Sequence, residues 1–264
     1  MFFHSAQYFR DIWSKRFFWM SLVKVDLRKR YRRSVLGIGW SLMHPVAMTI
    51  VFCIVFSQLF GQDIISYAPF VLSGLAFWSY FTGVLTESCQ CYFAGEAYIR
   101  QSPAPLAIYP LRTTVGMAIH FAVALIVLLA LVWMTSGFGN LLTLWTLIPT
   151  LVLFFALGWS VSIIFGVINV VFQDTQHLVQ VGMQALFYMT PIFYPAKMLR
   201  DRGLGWIVDI NPLAACLDLL RRPVLDGQLP TIAATSYACG FVLLMVTVAS
   251  LTLAKVEKRL IFYL

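Results

Sequence analysis

The block Arg28-Lys29-Arg30-Tyr31-Arg32-Arg33 gives way to a stretch that is almost wholly apolar from Val46 to Phe56, and no Lys or Arg occurs again before Arg100. Few folds accept such a pattern. Cations that stop at the edge of a long apolar run stay on the cytoplasmic side of a bilayer while the run crosses it. A hydrocarbon core of ~30 Å takes about 20 helical residues. Gly37 to Phe60 supplies them. The cationic block therefore orients the first span and, by alternation, those that follow.

Apolar residues make up 60% of the 264 and charged residues only 11%, with a mean hydropathy of +0.82. A soluble domain needs more charge to cover its surface, so the chain reads as an all-α polytopic membrane protein. The net charge of +8 does not point to nucleic acid, because nine of the nineteen cations lie before residue 34 and no binding motif accompanies them. That skew is a membrane-surface and topology signal. Cys53, Cys89, Cys91, Cys216 and Cys239 are odd in number and irregular in spacing, which gives no disulfide framework. Cys89 and Cys91 are too close for a CxxC site, the four His are dispersed, and no metal site is expected.

Residues 1–33 lack the uninterrupted apolar core of a cleavable signal. Phe9, Ile12, Trp13, Phe17, Met20 and Val23 or Lys24 recur at spacings of three or four. The spacing predicts an amphipathic interface helix, either lying among headgroups or packed on the bundle. Residues 34–264 form one six-helix domain, with spans expected near 37–60, 67–87, 114–135, 145–170, 178–194 and 232–254. The fifth is short and ends in Thr190-Pro191-Ile192-Phe193-Tyr194-Pro195, where two prolines break the hydrogen-bond ladder. Joining segments 57–66 and 136–144 carry no Lys or Arg, as external loops should, whereas 88–113 carries Arg100 and Arg112 and the tail carries Lys255, Lys258 and Arg259. Both termini are therefore expected in the cytoplasm. Against a simple count, 171–177 has no Lys or Arg and 196–230 has five, offset by four Asp. The apolar spacing of 212–225 suggests a short re-entrant or interface-lying hairpin, which protein must shield if it enters lipid.

Chemistry is sparse. No GxxxxGK[ST] loop, HExxH pair or GxSxG motif occurs, so no nucleotide site of the P-loop kind and no hydrolytic centre is encoded. Glu87 falls near the cytoplasmic end of its span, where it is either a hydrated interfacial group or an ion or gating residue. Asp174 is placed to cap the fifth span or to meet a partner. Arg28, Arg30, Arg32 and Arg33 set topology and also suit the phosphate of a lipid headgroup. Aromatics crowd 67–81 and 187–194, as interfacial belts do. Their faces also stack on sugar rings.

Three passages resemble one family. The first is Arg30-Tyr31-x-x-Ser34-Val35-Leu36-Gly37-x-Gly39-Trp40-x-Leu42-x-x-Pro45. The second is Asn169-Val170-x-Phe172-x-Asp174, continuing to Phe187-x-x-Thr190-Pro191-Ile192-x-Tyr194-Pro195. The third is Glu96-x-x-Ile99-Arg100-x-x-Pro103, ending in Tyr109-Pro110-Leu111-Arg112. With six spans and a tail at Glu257-Lys258, they resemble the permease subunits of ABC exporters of bacterial O-antigen, capsule or teichoic-acid chains.

The resemblance implies a homodimer bound to two copies of a separate ATPase subunit, which holds the ATP and Mg; this chain itself carries no cofactor. The cargo is a lipid-linked polysaccharide and the site the bacterial inner membrane. Residues 94–105 correspond to a coupling helix, with Glu96, Ile99, Arg100 and Asp174 toward the ATPase, and 196–230 to external gate helices. The first and fifth spans line the channel, with Phe187, Tyr188, Phe193, Tyr194 and Trp40 in contact with glycan. The chain departs from the family pattern at Gln173, where an Arg commonly precedes the Asp, and at His44. An exporter of a drug or small lipid on the same fold is the alternative, and an intramembrane glycosyl- or phosphotransferase a more distant one.

Overall fold

The computed structural model describes residues 2–101, 104–135, 137, 139, 141–257 and 259–263. Residues 102 and 103 of the expected coupling segment and Lys258 of the tail lie outside the described residues.

The N-terminal segment is two helices, α1 (Phe2–Ser14) and α2 (Arg16–Arg30), broken at Lys15. Ile12, Leu22 and Val23 are buried, whereas Phe9, Trp13, Phe17 and Met20 are exposed. One edge packs on the bundle, with α2 against α6 (Ile108–Thr135), and the aromatic edge is left exposed.

Among the described residues, five helical segments are long and apolar enough to cross a membrane: Gly37–Phe60, Ile64–Ser88, Ile108–Thr135, Leu141–Val171 and Ile232–Val256. Their regular helices are α3 (Trp40–Phe60), α4 (Ile64–Ser88), α6, α7 (Leu147–Val171) and α12 (Ile232–Val256). The stretch expected to span at 178–194 forms instead α8 (Thr175–Met189), of 15 residues. At 1.5 Å per residue that is about 22 Å, short of the ~30 Å core. Pro191 has no N–H to continue the ladder, so the helix gives way to an extended turn at Thr190. Among the described residues the fold is all-α as expected, with five helices long enough to span and the shorter α8 in place of the sixth.

The helix α4 is the pillar of the bundle: 67% of its apolar window is buried, against 17% for the first span and 22% for α12. It packs on α3, α6 and α7, and α7 packs on α12. One core lies among these helices around Phe77, Phe81, Phe154, Leu128 and Leu217. A second joins Ile12, Tyr92, Ile99, Tyr109, Val167 and Leu253, and so ties the N-terminal helix to the loop between α4 and α6. Between α8 and α12 come the short helices α9 (Ala196–Asp201) and α10 (Gly205–Ile210), then α11 (Pro212–Arg221). Cys216, Leu217, Leu219 and Leu220 of α11 are each at most 3% exposed, and the helix is sheltered by α4, α7 and α12. Protein thus shelters the apolar face of this hairpin.

Candidate functional site

An aromatic wall forms where α3 meets the end of α8. Phe52, Phe56 and Phe60 follow one another at a spacing of four, which places them on one face of α3. Phe193 stacks on Phe52 at 5.1 Å and lies 5.3 Å from Phe56. Phe187 stacks on Phe193 at 5.8 Å and meets Trp78 of α4 edge-on at 5.7 Å. Phe60 continues the wall to Tyr67 and Phe70. Tyr188, 60% exposed, and Tyr194, 8% exposed, complete it, with the Tyr194 hydroxyl donating to the Tyr188 carbonyl at 2.8 Å.

The turn that carries Phe193 is held by a buried guanidinium. Arg221, at the end of α11, donates to the carbonyls of Pro191 (2.5 Å), Ile192 (2.6 Å) and Phe70 (2.9 Å) and to the Ser73 hydroxyl (3.0 Å). Its guanidinium also lies over the Phe70 ring at 3.7 Å. Each of these oxygens is neutral, and two of them are carbonyls freed by the proline break. Tyr67 donates to the Phe193 carbonyl, and Asn211 donates to Thr190 at 2.8 Å while capping α11. Gly74 is needed here, because a Cβ would stand 2.5 Å from the Ile192 oxygen and 2.7 Å from Arg221 Nη2. Sequence reading saw five offsetting cations in 196–230 and missed that one of them is buried. It also missed Phe52, Phe56 and Phe60, whose spacing of four was the available signal.

Trp40 stands apart from this wall. It is 53% exposed at the first residue of α3, twelve residues and so about 18 Å of helix before Phe52. Its level is that of the cationic corner. There Arg30 pairs with Glu87 at 2.6 Å and approaches His120 at 3.4 Å, and the Tyr31 hydroxyl lies 3.2 Å from the same imidazole. Arg28, Arg32 and Arg33 are exposed. Val25, Arg28, Lys29 and Arg32 line an open recess of about 470 Å³. Glu87 is thus the ion-pair partner of an arginine from α2.

The loop helix α5 (Glu96–Gln101) forms within the expected coupling segment. Glu96 and Arg100 pair across one turn at 2.8 Å, and Tyr98 is 40% exposed. Ile99 faces inward, 8% exposed in the second core. The loop lies so close to the start of α6 that a Cβ on Gly95 would enter the Tyr109 ring. Asp174 occupies the position before α8, yet its side chain accepts no helix N–H. Asn169 anchors that helix start instead, donating to the Cys89 carbonyl at 2.7 Å and accepting from the Gln176 N–H at 3.2 Å.

Residues 18–225 match the family described as ABC-2 type transporter. The chain belongs to that family. Among its relatives, this ABC-2 membrane protein is 29% identical to an O-antigen export system permease protein, RfbA, of Klebsiella pneumoniae, over 85% of this chain and 86% of the relative. It is 24% identical to the RfbA of Myxococcus xanthus, over 84% and 85% of the two chains. It is 22% identical to the polysialic acid transport protein KpsM of Escherichia coli, over 83% and 85%. Family and helices together make this a multi-pass membrane protein of the ABC-2 type.

Proposed function

We propose that the chain is the membrane half of an ATP-driven exporter that moves a lipid-linked polysaccharide across the bacterial inner membrane, with both termini in the cytoplasm. It works as a homodimer with two copies of an ATPase subunit that supplies the nucleotide site and the Mg. The observation that carries this reading is the aromatic wall of Phe52 and Phe56 on α3, Phe187 on α8 and Phe193 in the turn after it, all four half-buried beside a span that the single chain leaves largely uncovered. Aromatic faces stack on sugar rings without fixing them, which suits a chain that must slide. Relatives named for O-antigen export and polysialic acid transport point the same way.

The energy enters through α5. Glu96, Tyr98 and Arg100 present an outward face to the ATPase, while Ile99 fastens the helix to the second core. A push on α5 is then delivered to α1, the start of α6 and the inner half of α7, which share that core. Arg28, Arg32 and Arg33, with Trp40 beside them, receive the phosphate end of the lipid carrier at the cytoplasmic surface.

The test is co-purification of the tagged chain in mild detergent. A stoichiometric ATPase partner, with hydrolysis altered by lipid-linked glycan and cross-links from Tyr98→Cys or Arg100→Cys, is expected. A complex whose hydrolysis responds to hydrophobic drugs and ignores glycan would assign the fold to a different cargo.

A further inference from the structure

The helix α6 begins at Ile108, and Ala104-Pro105-Leu106-Ala107 leads into it. Ile108 and Tyr109 donate back to the carbonyls of Pro105 and Leu106 at 3.1 and 3.3 Å. The N–H groups of Leu106 and Ala107 come before any carbonyl of that turn and are orphan donors of the helix start. No side chain of 104–107 can accept from them, so the acceptors come from two distant parts of the sequence. Glu257 Oε1, just beyond α12, accepts from the Leu106 N–H at 3.2 Å. The Tyr8 hydroxyl of α1 accepts from the Ala107 N–H at 3.3 Å and donates to the same Glu257 oxygen at 2.7 Å. The dipole of a 28-residue helix also favours a carboxylate at this end.

The same two residues are held from other sides. Trp159 of α7 donates to the Ala107 carbonyl at 3.2 Å and meets Phe9 of α1 edge-on at 6.0 Å. Leu260 fixes the tail behind Glu257, fully buried in the second core that also holds Ile12, Ile99 and Leu106. Since α5 ends at Gln101, Leu106 and Ala107 form the joint between the loop helix and the span. Coupling between separated sites travels through rigid, packed contacts. A joint with two loose N–H groups would bend under a push on α5 and leave α6 where it stood.

We propose that Glu257 and Tyr8 are positioning residues for energy coupling: tail and α1 together cap α6, and the capped joint carries a displacement of α5 into the span. The proposal rests on the exporter reading and adds to it the segment after the last span as a working part. The two residues act on how much transport each ATP hydrolysed delivers, through the backbone of 106 and 107.

The experiment uses the complete transporter, in the cells that make it for export and co-purified with its ATPase for hydrolysis. Glu257→Ala should lower surface polysaccharide about tenfold, the factor carried by one hydrogen bond to a charged group. The protein level and the amount of co-purified ATPase should not change, and hydrolysis should stay near that of wild type, so that the two activities part. Glu257→Gln keeps an oxygen in place to accept both bonds and should restore most of the export. Tyr8→Phe should fall between wild type and Glu257→Ala, and it replaces the alanine variant if that chain does not reach the membrane. Full export by either variant at wild-type protein level, or export and hydrolysis falling in parallel, overturns the coupling role while leaving the exporter reading intact. A glutamine variant as poor as the alanine one overturns the capping. A deletion strain that keeps its surface polysaccharide overturns the exporter reading itself, and the coupling role with it.

Discussion

Replacing Arg221 with methionine keeps an unbranched stem and removes the guanidinium that holds the 190–195 turn. The carbonyl of Phe70 also accepts the Ser73 hydroxyl, but among the described hydrogen bonds those of Pro191 and Ile192 depend on the guanidinium. An orphaned buried carbonyl costs about 1–3 kcal/mol, so two cost about 2–6 kcal/mol. Methionine also avoids desolvating a buried cation, which gives some of this back and brings the net loss to about 2–4 kcal/mol. The loss is local to the turn that positions Phe193. Arg221→Met in detergent should therefore unfold at lower temperature by fluorescence-detected size exclusion, and its amides at 190–195 should exchange faster. Arg221→Lys falls between, because an ammonium cannot span the same fork of oxygens. Gly74→Ala attacks the same clasp from α4, and its cost should not add to that of Arg221→Met, since the two share one contact network. Equal melting of Arg221→Met and wild type, with unchanged exchange at 190–195, would refute the clasp.

Asn169→Ala removes one buried and one part-buried bond that anchor the start of α8 and should cost about 1–3 kcal/mol in the same melt. Arg112→Ala frees Asp26 and so α2 from α6, and trypsin should then cut the Arg28–Arg33 block faster. Tyr8→Phe deletes the hydroxyl that donates to Glu257 at 2.7 Å and accepts from the Ala107 N–H at 3.3 Å. That loss is about 1 kcal/mol, read as faster exchange of the backbone at 106–108. Burial, and after it the Glu257 carboxylate, pushes the Tyr8 phenol above its ordinary value of 10.0. The folded-state value is the raised one, so the contribution is complete below pH 10 and lost only as pH rises further. The melting difference between Tyr8→Phe and wild type should accordingly be flat from pH 6 to pH 9, a range wholly below the ordinary phenol value.

Where the signal lay in one dimension, it could be read directly. The cationic block, the apolar runs and the proline break at 190–195 act through local chain properties: charge against lipid, length against bilayer, a missing N–H. They determine an all-α membrane protein with one interrupted helix, and they mark Phe187, Phe193 and the loop helix as places of interest. What packs against what is another matter. In an apolar span every phenylalanine reads alike, so Phe52, Phe56 and Phe60 gain meaning only when α8 brings Phe193 onto them. The burial of Arg221 is equally invisible, because an arginine in a charged loop has the same letters whether water or three carbonyls surround it. Glu87 drew notice as a costly charge, yet its partner Arg30 is 57 residues away. The division follows from the physics: transfer to lipid and helix breaking depend on neighbours along the chain, whereas hydrogen-bond satisfaction depends on neighbours in space.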